Sequence, residues 1–287
     1  MMQENILETA AASTAVAESD DTPRFIAIYH HSQTALRYLY YLMEECLIGF
    51  WLGILSNEAI GKIGEHHYAD DSMYVTDEYN EGGLYPWEQY VIDRYFKDCG
   101  RLLVLGAGGG REIYGLRHLP VEISAYECSP KFVSYGRSFL ARHSLNATLD
   151  LIQPDECPAT TDLFDGAIVG WGSYMLIQGR KRRIELLTRI RGQLRPGAPI
   201  LISFFSFAVS KKRFILSTRI ANVLRIVRSR ERIEVGDFLV PNYVHFFKKR
   251  EIASEFIEAG FRPEFYATEP YGHAVAFHDG SGQRDLH

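Results

Sequence analysis

The stretch Val104–Ile113, VLGAGGGREI, puts glycines at 106, 108, 109 and 110 directly after an apolar run. A backbone that bare either makes a plain turn or lets the main chain approach a ligand where a side chain would collide. Two phosphate-binding templates can be set against it. The dinucleotide fingerprint G-x-G-x-x-G is met by Gly106 and Gly108, but its third position is Arg111, where a glycine would allow close helix–strand packing. A P-loop needs Gly-Lys-Ser/Thr, and no lysine follows these glycines. Neither template fits well, which leaves an NAD-dependent oxidoreductase as the lesser alternative.

The glycines must be held by the elements around them. From residue 101 short apolar strands alternate with helices: RLLVLG, then EIYGLRHL, then EISAYE. The helix SPKFVSYGRSFLARH follows, with Ser129 as its cap and Pro130 at its first position. After it come the strands TLDLI and FDGAIVGW, the helix RKRRIELLTRIRGQL and the strand APILISFFS. This rhythm predicts a parallel sheet with right-handed crossovers. The chain is read as a disordered tail at 1–23, a helical N-terminal lid at 24–98, and an α/β domain at 99–280 interrupted by a helical insertion at 207–236.

Set in this order, the motifs resemble the class I S-adenosylmethionine-dependent methyltransferases over roughly residues 100–278. VLGAGGGRE is similar to their first motif, and AYE to their second strand, with Glu127 at its carboxyl end, 21 residues after Gly106. The resemblance implies that Gly106, Ala107, Gly108 and Gly110 face the methionine part of the cofactor. It implies that Glu127, with Cys128 beside it, holds the ribose hydroxyls, a task suited to a carboxylate because it only accepts. Asp155, or Glu156 as the fallback, would meet the adenine amino group from QPDECP. Gly170 and Trp171 would lie beside the sulfonium. The implied fold is a Rossmann-like, seven-stranded, mostly parallel sheet with an antiparallel last strand, and the N-terminal helices and the insertion form a lid. The implied activity is methyl transfer (EC 2.1.1 class) from S-adenosyl-L-methionine to oxygen or nitrogen of a small molecule, with S-adenosyl-L-homocysteine as product. A non-catalytic, cofactor-binding member of the same fold is the alternative.

Such transfers need a general base only when the nucleophile arrives protonated, so catalytic residues are hard to read. Candidates are Tyr85, in the front segment that also holds His66, His67, Tyr68, Tyr79 and Trp87; Tyr174, next to Ser173 after the fourth strand; and His245 in NYVHFF. Tyr79 and Tyr85 flank Gly82-Gly83, a candidate hinge for closure over the cofactor. No metal is expected, because Gly170-Trp171-Gly172 stands where metal-dependent relatives place acids.

Composition narrows the partners. The net charge is −5, with 17 acidic and 5 basic residues in 1–100, so the remainder carries +7. Arg180–Arg183 and the arginines of the insertion either attract an acidic substrate or form a solvated face. Nucleic acid is not expected. The four cysteines show no C-x-x-C spacing and read as free thiols in a cytoplasmic protein. The longest apolar run, CLIGFWLGIL at 46–55, is too short to span a bilayer. The expected partner is a small molecule, acidic or aromatic, and the aromatic helix at 36–55 is a candidate homodimer interface.

Overall fold

The computed structural model describes residues 23–207 and 212–280. The expected tail lies outside them up to residue 22, as does Lys211 of the insertion. The chain forms two compact units that divide between Cys46 and Leu47, within helix α1 (Arg24–Ile54). The described part of the first unit is helical, and Leu36, Tyr40 and Met43 are among its exposed apolar side chains. Among the described residues no single helix is long and apolar enough to cross a membrane.

In the second unit, α2 (Asn57–Asp70), α3 (Asp77–Glu81) and α4 (Pro86–Tyr95) precede the sheet. Ser56 caps α2 by accepting the Ala59 N–H, and Pro86 opens α4 where its missing N–H removes nothing. Strands β1 (Arg101–Leu105), β2 (Glu122–Glu127), β3 (Ala147–Leu151), β4 (Gly166–Val169) and β5 (Pro199–Ser206) pair in the order β3-β2-β1-β4-β5, all parallel. Helices cover both faces of such a sheet, so its central strands are apolar throughout: Leu102 to Leu105 and all of β4 are buried. The connecting helices are α5 (Arg111–Gly115), α6 (Pro130–Arg142) and α7 (Arg180–Gly192). Ser129 takes the cap position of α6, but its hydroxyl caps nothing; its backbone N–H donates to Glu127 instead.

Beyond α8 (Lys212–Val227) the chain forms β6 (Asp237–Leu239), β7 (Tyr243–Phe247), α9 (Lys249–Glu258), β8 (Phe261–Ala267) and β9 (Gly272–His278). β9 runs antiparallel between β5 and β8. The sheet is therefore β3-β2-β1-β4-β5-β9-β8 with β9 alone reversed, the expected seven strands. The β6–β7 hairpin is an unexpected addition, in which β7 pairs in parallel with Phe205 and Ser206 at the end of β5.

The insertion shows where part of its charge goes. The last carbonyls of a helix have no partner within it. Arg225, 1% exposed, donates Nε to the Leu52 carbonyl and Nη1 to the Asn57 side chain, and so closes the end of α1.

Candidate cofactor and substrate site

Direction of connection reverses between β1 and β4, and in open parallel sheets ligands bind at the carboxyl ends of the strands flanking such a switch. Leu105 pairs with Tyr126 on one side and Val169 on the other, which aligns three strand ends. Gly106 (φ +69°) donates its N–H to the Tyr126 carbonyl at 2.8 Å, and Gly170 donates to the Leu105 carbonyl at 2.7 Å. A Cβ on Gly106 would strike the Ser173 hydroxyl, and one on Gly170 would strike the Gly106 carbonyl. Bare backbone at both positions is what lets the loops after β1 and β4 close on each other.

Glu127 ends β2 with its carboxylate 1% exposed. Oε2 accepts the Gly108 N–H at 2.8 Å and the Tyr68 hydroxyl at 3.3 Å, and Oε1 accepts the Ser129 N–H at 2.8 Å. A carboxylate has about four lone-pair positions, so Oε1 keeps acceptor capacity. Glu127 lines a cavity of about 190 Å³. Gly106, Glu127, Cys128, Asp155 and Glu156 all line this cavity, as do Ile152 and Pro154 of the loop after β3. A second cavity, about 10 Å³, lies on the glycine loop against Gly106, Ala107, Gly108 and Trp171. Gly110 and Gly170 line neither cavity. Gly110, at φ +111°, sits at the cap of α5.

Arg111 occupies the place where a dinucleotide fold would have glycine. Its guanidinium is 3% exposed and pairs with Glu88 through both Nη atoms (2.7 and 2.8 Å), with Glu112 (2.8 Å) and with the Gly83 carbonyl (2.7 Å). Residues 83–88 are thereby tied to the glycine loop. The Tyr85 ring lies 4.2 Å from the guanidinium carbon and 5.8 Å from the Trp171 ring. The second cavity is also lined by Tyr68, Tyr74 and Tyr79. Burial pushes the Tyr74 phenol up to about 12 and those of Tyr68 and Tyr79 well above their ordinary value.

None of the three expected catalytic residues lines either cavity: Tyr85 comes nearest, with its ring against Trp171 and Arg111, and the other two are elsewhere. Tyr174 is fully buried and donates to Glu255 at 2.6 Å. His245 is fully buried on β7, with Nδ1 2.6 Å from Asp237 and Nε2 3.2 Å from Glu251. Neither lines either cavity: the 3₁₀ turn Ser173–Leu176 points Ser173 toward Gly106 and Tyr174 into the core. His245 is drawn inward by carboxylates. Burial alone would lower its pKa, but the hydrogen bonds to Asp237 and Glu251 outweigh it and hold it at about 9. Arg183, expected in a basic patch, is buried between Glu234 and Glu255, each at 2.8 Å. No described residue of the insertion lines the cavities, so the cover comes from α2 and the segment after it.

Sequence reasoning passed over Gly61, Gly64, Gln178, Asn242 and Tyr243, which also line the larger cavity. The signal for two of them was present. Gly61 and Gly64 are three apart in a helical segment, which strips one face of α2 of side chains. Asn242 and Tyr243 arrive with the hairpin, which has no such signal.

No family model matches the sequence, and no curated protein matches it. Solved structures do match. The 1,6-didemethyltoxoflavin-N1-methyltransferase of Burkholderia thailandensis, with 1,6-didemethyltoxoflavin and S-adenosylhomocysteine bound, superposes with a TM-score of 0.55 at 16% identity, covering 78% of this chain and 91% of that one. The CcbJ methyltransferase of Streptomyces caelestis gives 0.54 at 15% identity, covering 73% and 96%. An S-adenosylmethionine-dependent methyltransferase of Methanosarcina mazei gives 0.52 at 16%, covering 68% and 98%. This chain has the fold of the S-adenosylmethionine-dependent methyltransferases.

Proposed function

We propose that the protein transfers a methyl group from S-adenosyl-L-methionine to oxygen or nitrogen of a small molecule. The observation that carries this is Glu127: a buried carboxylate at the end of β2, bonded to the Gly108 amide and lining the 190 Å³ cavity. The residues fit the cofactor. The Glu127 carboxylate would accept the ribose hydroxyls, Ile152 and Pro154 with Asp155 or Glu156 would hold the adenine, and the loop Gly106–Gly108 would hold the methionine part. S-adenosyl-L-methionine supplies a methyl group on a sulfonium, which departs as a neutral thioether. The aromatic wall of Tyr74, Tyr79, Tyr85 and Trp171 aligns the acceptor and excludes water. Tyr74 and Tyr79, with pKa values raised by burial, keep their protons and serve as donors rather than bases. Segment 72–85 acts as the lid, swinging at Gly82-Gly83 when the Arg111 contacts release.

Calorimetric titration with S-adenosyl-L-homocysteine, with NAD as control, tests this on the wild type and on Glu127→Ala. Micromolar binding of the homocysteine compound alone is expected. Binding of NAD instead, or of neither, would remove the assignment. If binding is seen but a broad acceptor screen gives no methylated product, the non-catalytic reading takes its place.

A further inference from the structure

Tyr271 lies in the turn that directly precedes β9. Its hydroxyl is buried and makes no hydrogen bond. Its ring centre lies 5.1 Å from Trp171, 5.4 Å from Phe205 and 6.3 Å from Trp87, stacked on the last. The hydroxyl faces the loop after β4: a Cβ on Gly172 would stand 3.7 Å from it. Other buried phenols of this unit are partnered, Tyr174 with Glu255, Tyr243 with Asp237 and Tyr68 with Glu127. A hydroxyl withdrawn from water and given no partner is destabilising, and folded proteins keep few of them. Tyr271 itself lines neither cavity, but its ring packs on Trp171, which lines the smaller one, so its hydroxyl is an unpaired donor behind a wall of that cavity.

The surroundings indicate which ligand that donor would meet. The walls are rings. The ionic cluster alongside holds the two carboxylates of Glu88 and Glu112 against the single guanidinium of Arg111, so an anion gains nothing there. Burial and the nearby phenols of Tyr74 and Tyr85 raise the Tyr271 pKa, which keeps the hydroxyl a donor. His273 fixes the backbone, its Nδ1 donating to the Tyr271 carbonyl at 2.6 Å.

We propose that the Tyr271 hydroxyl is a specificity-determining donor of the acceptor-substrate site, bonding to a carbonyl or ring-heteroatom lone pair of a neutral, planar aromatic substrate packed on Trp171. This rests on the cofactor reading above and narrows its substrate class. A cavity of about 10 Å³ admits no ring, so the substrate enters with the lid swung aside.

The test compares wild type with Tyr271→Phe in two measurements. The first is thermal unfolding without ligand. Removing an unpartnered hydroxyl should leave the variant melting at or above the wild type; a lower melting temperature would mean that the hydroxyl has a protein partner, and would overturn the proposal. The second uses 2-quinolone, a neutral planar ring with a carbonyl, and the anion 2-naphthoate. Binding is followed by tryptophan fluorescence in saturating S-adenosyl-L-homocysteine. Wild type should bind 2-quinolone, and Tyr271→Phe should weaken it roughly fivefold to tenfold while the affinity for S-adenosyl-L-homocysteine stays within about twofold. Equal binding by both proteins, binding by neither, or preference for 2-naphthoate would overturn the proposal. If wild type fails to bind S-adenosyl-L-homocysteine, the cofactor reading falls, and the unfolding comparison still decides whether the hydroxyl is unpartnered.

Discussion

Two buried polar clusters lie in the same α/β unit, and they differ in how completely they satisfy themselves. Around Arg183 and His245 every strong group has a protein partner: Arg183 bonds Glu234 and Glu255, Tyr174 bonds Glu255, and His245 and Tyr243 both bond Asp237. At the end of β2, Glu127 keeps acceptor capacity and lines a cavity, and before β9 Tyr271 has a buried hydroxyl with no hydrogen-bond partner. The first arrangement ties the β6–β7 hairpin and α9 to α7; in the second, Glu127 lines the larger cavity. Histidine and tyrosine are catalytic types in general, but His245 and Tyr174 are here bonded to carboxylates within the fold.

The comparison can be broken most forcefully at Arg183. Truncating one member of a buried ion pair leaves the others uncompensated. Arg183→Ala should therefore lower unfolding stability by about 3–5 kcal/mol, read from urea midpoints, without any direct effect on the cofactor cavity. A change near zero would show the cluster to be dispensable.

The pH dependence of stability comes next. The folded pKa of His245 is raised from 6.5 to about 9. Its contribution is fully present below the unfolded value, near 6.5, and is lost as pH rises through about 9. At roughly 1.4 kcal/mol per unit the loss is of the order of 3 kcal/mol. His245→Gln should flatten the decline between pH 6.5 and 9; a slope equal to wild type would place the titration on another group.

At the other cluster, Glu127→Ala should weaken S-adenosyl-L-homocysteine binding by about 1.5–3 kcal/mol, the scale of hydrogen bonds to a charged group, and calorimetry will read it directly. Unchanged affinity would take the ribose contact away from Glu127. The smallest effect sharpens the contrast. Tyr174→Phe removes one donor to Glu255 and should cost about 1 kcal/mol of stability while leaving both binding and turnover at wild-type values. A selective loss of turnover would return Tyr174 to the catalytic set.

Much of this was legible in the chain. Alternating apolar strands and amphipathic helices define the parallel sheet, because strands covered on both faces must be apolar along their whole length. The glycine run and Glu127 were legible because backbone bareness and a strand-terminal acid are local properties, set one crossover apart. The smaller hairpin was not, since three- and five-residue strands carry too few alternations to show a period. Tyr174 and Ser173 illustrate the limit at a single step. They are adjacent, yet the turn after β4 aims one at Gly106 and sends the other into the core. The same holds for His245, whose fate depends on carboxylates at 234, 237 and 251 that meet it only after folding.

The sequence by itself determined the alternation of strands and helices, the parallel sheet that this alternation makes, and the bare glycines and strand-terminal acid set one crossover apart. Those follow from periodicity and backbone sterics, which act over a few residues. Only the tertiary structure decided which polar side chains are consumed by one another and which are left over. That outcome depends on hydrogen-bond geometry among groups far apart in the chain, where a few ångströms separate a satisfied buried pair from a donor still waiting for its acceptor.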